Sequence, residues 1–206
     1  MLLAIDVGNT KVKAAVFENN TLLYKEIFAP NQFKEAIDTI LKEYPFIKNM
    51  IVASVGKIEK DDFLYFENKI KVLFVSNSNT FPFQNLYTTP NTLGIDRLVL
   101  AAGAVLNYPK QNRLIIDAGT CVTYDFVDEN DNYLGGAISP GIRLRYEALH
   151  NYTANLPLLS KEEPTNTIGI GANKSIYFER QSVYYTRVNG LISSISNGIC
   201  WFFLTQ

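Results

Sequence analysis

Two short acidic turns, far apart in the chain, share one arrangement and constrain the fold more than any other feature. The first is Asp6-Val7-Gly8-Asn9-Thr10, entered from an apolar run and followed at once by a second, residues 12–17. The other is Asp117-Ala118-Gly119-Thr120, on the same strand–turn–strand frame with one residue deleted at the turn. A third strand follows each, over residues 22–28 in the first half and 133–138 in the second. The separation is too long for a solenoid array. It predicts a duplicated lobe, each copy presenting a carboxylate at a hairpin tip.

The intervening sequence fills in an α/β pattern. Asn19-Asn20 marks the turn between the second and third strands. Residues 31–44 place Phe33, Ala36, Ile37, Ile40 and Leu41 on one helical face. A strand over 50–55, a helix over 60–69 and a strand over 72–75 follow, so three meander strands lead into alternating helix and strand. Residues 76–92, with Asn, Ser, Thr and two prolines, read as a linker or a binding loop. Residues 94–108 form a helix with little polarity after its first turn, expected to be buried between elements. A last helix over 141–151 ends near His150. The division is expected at 1–92 and 93–206, the second part having a short C-terminus.

Composition narrows the function classes. The chain has 206 residues, 47% hydrophobic and 19% charged, which fits one large or two small globular domains. A net charge of −1 without a basic run argues against a nucleic-acid-binding surface. No apolar run approaches membrane-spanning length, and residues 1–5 are too short for a signal segment, so a cytoplasmic protein is expected. Cys121 and Cys200 lie apart in apolar sequence with no CxxC, and read as two buried thiols rather than a zinc site or a disulfide. His150 is the single histidine. It suits a helix C-terminus with no further role. If the chain is an enzyme, its acid–base work is expected to fall to a carboxylate.

The turns have a definite chemistry. Glycine at a hairpin tip lets backbone approach a ligand closely. Successive N–H groups with Thr and Asn side chains surround phosphate oxygens. A carboxylate there repels phosphate unless a cation or its hydration shell intervenes, which is how Mg²⁺ binds, keeping waters and taking one or two carboxylates plus phosphates. A lone turn of this kind is better explained by the local hydrogen bonds of Asp and Asn; the second copy favours phosphate. Two such turns facing each other would clamp a nucleotide triphosphate. Gly94-Ile95-Asp96-Arg97 opens the apolar helix, placing Asp96 where the dipole favours an anion. The pair reads either as ordinary helix-start stabilisation or as a proton acceptor beside an anion-holding Arg. Gly135-Gly136-Ala137-Ile138-Ser139-Pro140-Gly141 reads as a strand-to-helix passage with Ser139 as N-cap and Pro140 at the first helical position. Neither GxxxxGK[ST] nor GxGxxG occurs, which disfavours P-loop and Rossmann readings.

These motifs, in this order and continued by Thr153-Ala154-Asn155-Leu156-Pro157, resemble the type III pantothenate kinases over most of residues 1–157. The resemblance implies an α/β, actin-like ATPase (ribonuclease-H-like) fold: two duplicated lobes with mixed sheets and a nucleotide cleft between them. It implies ATP-dependent phosphorylation of pantothenate, the first step of coenzyme A synthesis, with Mg²⁺, a monovalent cation (K⁺ or NH₄⁺) and a homodimer. By motif, Asp6, Val7, Gly8, Asn9, Thr10, Lys11, Val12 and Lys13 would form the first ATP phosphate loop, with Asp6 reaching Mg²⁺ through water. Thr120 would contact ATP, Asp117 would bind the monovalent cation, and Asp96 would accept the proton. Tyr87, Gly94, Ile95, Asp96 and Arg97 would hold pantothenate, whose carboxylate suits an Arg. The sequence departs from the family pattern at Ala172, where a Thr is usual, at Glu179, where a glycine is usual, and after Thr205, where a Thr-Gly-Gly turn and a final helix are expected. Two alternatives follow: a regulatory or accessory protein on this fold, of the Bvg accessory factor-like transcriptional activator type, and a kinase for another small hydroxyl substrate. No nucleic-acid or membrane partner is expected.

Overall fold

The computed structural model describes residues 1–160, Asn173 and residues 199–205. Two compact units, Met1–Gly103 and Ala104–Gln206, make up the chain. Ala172 and Glu179 lie outside the described residues.

In the first unit, β1 (Leu2–Val7), β2 (Val12–Glu18) and β3 (Thr21–Phe28) form the expected meander. Asn19 and Asn20 turn it with φ of 47° and 67°, left-handed values that Asn tolerates better than most residues. β4 (Asn49–Ser54) and β5 (Lys71–Phe74) add in parallel, giving the order β3-β2-β1-β4-β5. The alternation along β1 and β2 is regular: Leu3, Ile5, Val7, Val12, Ala14 and Val16 are buried. They meet α1 (Phe33–Glu43), whose Phe33, Ile37 and Ile40 complete the same core, with Ala36 and Leu41 packed at its margin. Phe33 meets Phe63 and Phe66 edge-on, with ring centroids 4.8 and 5.8 Å apart, so the core is closed by aromatic contacts with a preferred geometry.

The helix expected over 60–69 is a 3₁₀ turn, Lys60–Phe63, followed by the single-turn α2 (Leu64–Glu67). The Asp62 carboxylate accepts the Glu59 N–H at 2.9 Å, which tightens the entry. Phe63, Phe66 and Ile70 then reach the core in succession. The loop over 76–92 contains a two-residue strand, β6 (Gln84–Asn85), and a 3₁₀ turn, Pro90–Thr92.

α3 (Ile95–Asn107) follows. It is buried along one stripe, through Arg97, Leu98, Ala101, Ala104 and Val105, while Val99 and Leu106 are exposed. The apolar sequence thus overstated its burial, because hydrophobicity alone does not say how many faces are covered.

In the second unit β7 (Asn112–Ala118), β8 (Cys121–Val127) and β9 (Asn132–Pro140) repeat the meander. β10 (Ile199–Thr205) pairs with β7 in parallel. The registers of the two units correspond. Asp6 lies opposite Lys13 on β2 and beside Ala53 on β4; Asp117 lies opposite Thr123 on β8 and beside Leu204 on β10. The repeat in the sequence is therefore a repeat in strand pairing.

Three local expectations are corrected. Ser139 and Pro140 belong to β9, and the N-cap of α4 (Ile142–Asn151) is Gly141. The Pro at the expected helix start instead ends a strand, opposite Cys121 of β8. Cys121 is exposed, not buried, because it opens β8 at the turn. His150 stands in the last turn of α4 as expected, and its Nδ1 lies 2.8 Å from the Leu156 carbonyl oxygen.

Candidate active site

The first acidic turn is drawn tight by its glycine. The Gly8 N–H donates to the Lys11 carbonyl at 3.0 Å. Behind it, Val55 and Gly56 both donate their N–H to the Val7 carbonyl, at 3.0 and 3.1 Å. A Cβ on Gly56 would lie 2.3 Å from the Gly8 oxygen, so only glycine lets the loop after β4 seat against the turn. Val7 and Val12 turn their side chains into the core, leaving only backbone to a ligand. Asn9, Thr10 and Lys11 are exposed at the tip. Lys13 Nζ lies 3.3 Å from Asp6 Oδ2 across the strand pair, both partly exposed. The tip thus offers backbone and side-chain donors, a carboxylate and an ammonium within a few residues, the donor set a phosphate and its cation need.

The second turn is built likewise. The Gly119 N–H donates to the Cys121 carbonyl at 2.8 Å, and the Gly141 N–H to the Thr120 carbonyl at 3.0 Å. A Cβ on Gly141 would fall 2.2 Å from the Gly119 oxygen and 2.6 Å from the Thr120 oxygen. Each turn is therefore backed by a second glycine from a distant segment. Thr120 is exposed and Asp117 half-buried. The Gly135-Gly136 pair does allow close backbone approach, but to a neighbouring strand: a Cβ on Gly136 would strike the Tyr124 carbonyl of β8.

Asp96 sits in the first turn of α3, where its Oδ1 accepts the Arg97 N–H at 2.9 Å. A Cβ on Gly94 would come within 2.4 Å of that oxygen, so glycine lets the carboxylate fold back over the helix start. The positive end of the helix stabilises the anion there. The Arg97 side chain is buried, its guanidinium carbon 5.9 Å from the Tyr87 ring centroid, within cation–π range. Tyr87 and Arg97, ten residues apart in the sequence, are thus brought together, with Gly94 and Asp96 adjoining. The loop between them is pinned by Asn77, whose Nδ2 donates to the Pro90 and Leu93 carbonyls at 2.6 and 3.0 Å.

Gly56 and Asn77 escaped the sequence reading. Neither belongs to a motif, and each is required only because a distant backbone comes close. Among the described residues, no group of three or more His, Cys, Asp or Glu side chains is arranged to hold a metal, and no helix is long and apolar enough to cross a membrane.

Residues 2–195 match the type III pantothenate kinase family. The chain belongs to that family. Type III pantothenate kinases of Flavobacterium johnsoniae and Flavobacterium psychrophilum are 53% and 59% identical to it, over 97% and 86% of this chain and 83% and 73% of theirs. That of Christiangramia forsetii is 46% identical over 85% of this chain and 72% of its own. Two solved structures share the fold at a TM-score of 0.57. One is a Campylobacter jejuni protein described as a Baf family transcriptional activator, 19% identical, covering 96% of this chain and 80% of that one. The other is a Sinorhizobium meliloti protein described as a 2-dehydro-3-deoxygalactonokinase, 10% identical, covering 98% and 85%. At such identities these likenesses establish the fold alone. The kinase has the actin-like, ribonuclease-H-like architecture of two duplicated α/β lobes with mixed sheets, as its motifs implied.

Proposed function

We propose that this kinase transfers the γ-phosphoryl group of ATP to the hydroxyl of pantothenate, giving 4′-phosphopantothenate, the first step of coenzyme A synthesis. The observation that carries this is the family match over residues 2–195, which spans all four motifs. In phosphoryl transfer, positioning and charge neutralisation supply most of the rate. Residues 6–13 hold the ATP phosphates through the turn amides, Thr10 and the lysines, and Thr120 offers its hydroxyl to the nucleotide. Asp6 reaches Mg²⁺ through water. A single partly exposed carboxylate fits an ion that keeps most of its hydration shell. Asp117 holds a K⁺ or NH₄⁺ ion, for which a half-buried carboxylate is a suitable oxygen ligand. When bound, the two cations neutralise charge on the phosphates.

Asp96 accepts the proton of the attacking hydroxyl. Its engagement with the Arg97 N–H fixes the carboxylate orientation. Arg97 pairs with the pantothenate carboxylate, and the Tyr87 ring orients the guanidinium. The enzyme acts as a homodimer in the cytoplasm, with no nucleic-acid or membrane partner. The test is purified protein with ATP, Mg²⁺, K⁺ and pantothenate, the product identified by mass. Phosphopantothenate should form, and Asp96→Asn should lower kcat on the order of 10²-fold or more with ATP binding retained. ATP binding without turnover on pantothenate would overturn the reading, and turnover only with another alcohol would reassign the acceptor.

A further inference from the structure

The hydroxyl of Thr123 is buried, 9% of the residue being exposed, and its Oγ1 has no hydrogen-bond partner among the described residues. A buried polar atom in this state costs about 1–3 kcal/mol, and where a native fold retains one, an ion or a water is the usual reason. Its location says which. In the β7–β8 ladder Thr123 is directly opposite Asp117, so the two side chains share a face, with Cβ atoms roughly 4.5–5.5 Å apart. On its other flank stands Ile138 of β9, which offers no polar group. Asp125, two residues along on the same face, accepts the Tyr133 hydroxyl. The equivalent place in the first unit, opposite Asp6, is Lys13. One acidic turn therefore has an ammonium across from its carboxylate, and the other a neutral oxygen.

That difference is chemically specific. An ammonium already compensates the charge of the carboxylate, so a cation beside it is held only through water. A hydroxyl adds a lone-pair donor without charge, which suits a weakly hydrated monovalent ion taking several oxygen ligands. We propose that the Thr123 hydroxyl is a second oxygen ligand, with Asp117, for the monovalent cation. This rests on the assignment of Asp117 given above.

The test follows the thermal midpoint as K⁺ is titrated at constant ionic strength, with choline replacing K⁺, in Mg·ATP and no pantothenate. A bound ion raises the midpoint by mass action, so the titration yields an apparent K⁺ constant independent of turnover. The wild type should respond to K⁺, Asp117→Asn should not, and Thr123→Val should need about tenfold more K⁺. Thr123→Ser, which restores the oxygen, should regain the wild-type constant. Should Thr123→Val fail to fold, Thr123→Ala carries the same prediction. A K⁺ response retained in Asp117→Asn, or missing from the wild type, would overturn the Asp117 assignment and the proposal together. A response lost in Asp117→Asn but unchanged in Thr123→Val would overturn the proposal alone, and the hydroxyl would then belong to a buried water.

Discussion

At the residue scale the molecule is governed by glycines that no side chain can replace. Gly56 is the sharpest case, since its missing Cβ would stand 2.3 Å from the Gly8 oxygen. Gly56→Ala must push the loop off the first acidic turn. It is expected to cost about 1–3 kcal/mol, as overpacking does, and to raise the KM for ATP, which steady-state kinetics and urea unfolding would show together. Gly103 is the contrasting case. It lies inside α3, and a Cβ there would meet nothing within 4 Å among the described residues. Gly103→Ala is expected to stabilise by about 1 kcal/mol through helix propensity and a less flexible unfolded chain, raising the thermal midpoint with kcat unchanged. Asp6, Thr10, Asp96 and Thr120 could be singled out in the sequence because their chemistry is local to a turn or a helix start. Gly56 could not be, because its constraint is created by a parallel neighbour strand. Thr123 stood within the quoted repeat, but its buried, unpartnered hydroxyl is visible only in three dimensions.

At the element scale the second unit depends on a buried cation that the sequence presented only as the first residue of a strand. Arg113 is fully buried. Its Nε donates to the Tyr108 carbonyl at 2.6 Å, its Nη1 to the Asp128 carbonyl at 2.9 Å, and its Nη2 to the Asp131 carboxylate. One side chain thereby ties the segment after α3 to the β8–β9 turn at the start of β7. Arg113→Met would leave these acceptors without their donors and is expected to cost about 3 kcal/mol, seen as a lower urea midpoint. Arg113→Lys should recover little, since an ammonium cannot reproduce the planar fork. The element boundaries show the same limit of local reading. The N-cap of α4 moved from Ser139 to Gly141 because β9 keeps its pairing with β8 through Pro140. Sheet pairing overrode a sequence signal that was locally sound.

For the whole molecule, the two units respond to acid through different carboxylates with the same sign. The Lys69 ammonium, hydrogen-bonded to Asp38 at 2.8 Å, holds its carboxyl below the ordinary value of 3.8. Burial pulls Asp128 upward, but hydrogen bonds from the Asn132 side chain and backbone and the Asn130 N–H, with the Arg113 charge, outweigh it and leave it below 3.8. A folded value below the unfolded one adds stability at neutral pH, and that stability is lost as the pH falls through the depressed folded value. The stability gap between wild type and Asp38→Asn or Asp128→Asn should therefore be open at pH 7 and close below pH 3.8, as chemical unfolding across pH would record. The Asp38 contribution is a few tenths of a kcal/mol at most and should shrink with salt, because the pair is solvent-exposed.

The sequence by itself determined the repeated strand–turn–strand frame, the core-facing side of α1, the acidic turns and the family, because periodicity and turn chemistry are set by neighbours along the chain. Tertiary structure alone decided which face of α3 is covered, why Gly56 and Gly141 must lack a Cβ, how Arg113 is held, and that Thr123 faces Asp117. Those features arise where segments distant in sequence are pressed together, and close packing leaves each contact a tolerance of a few tenths of an ångström.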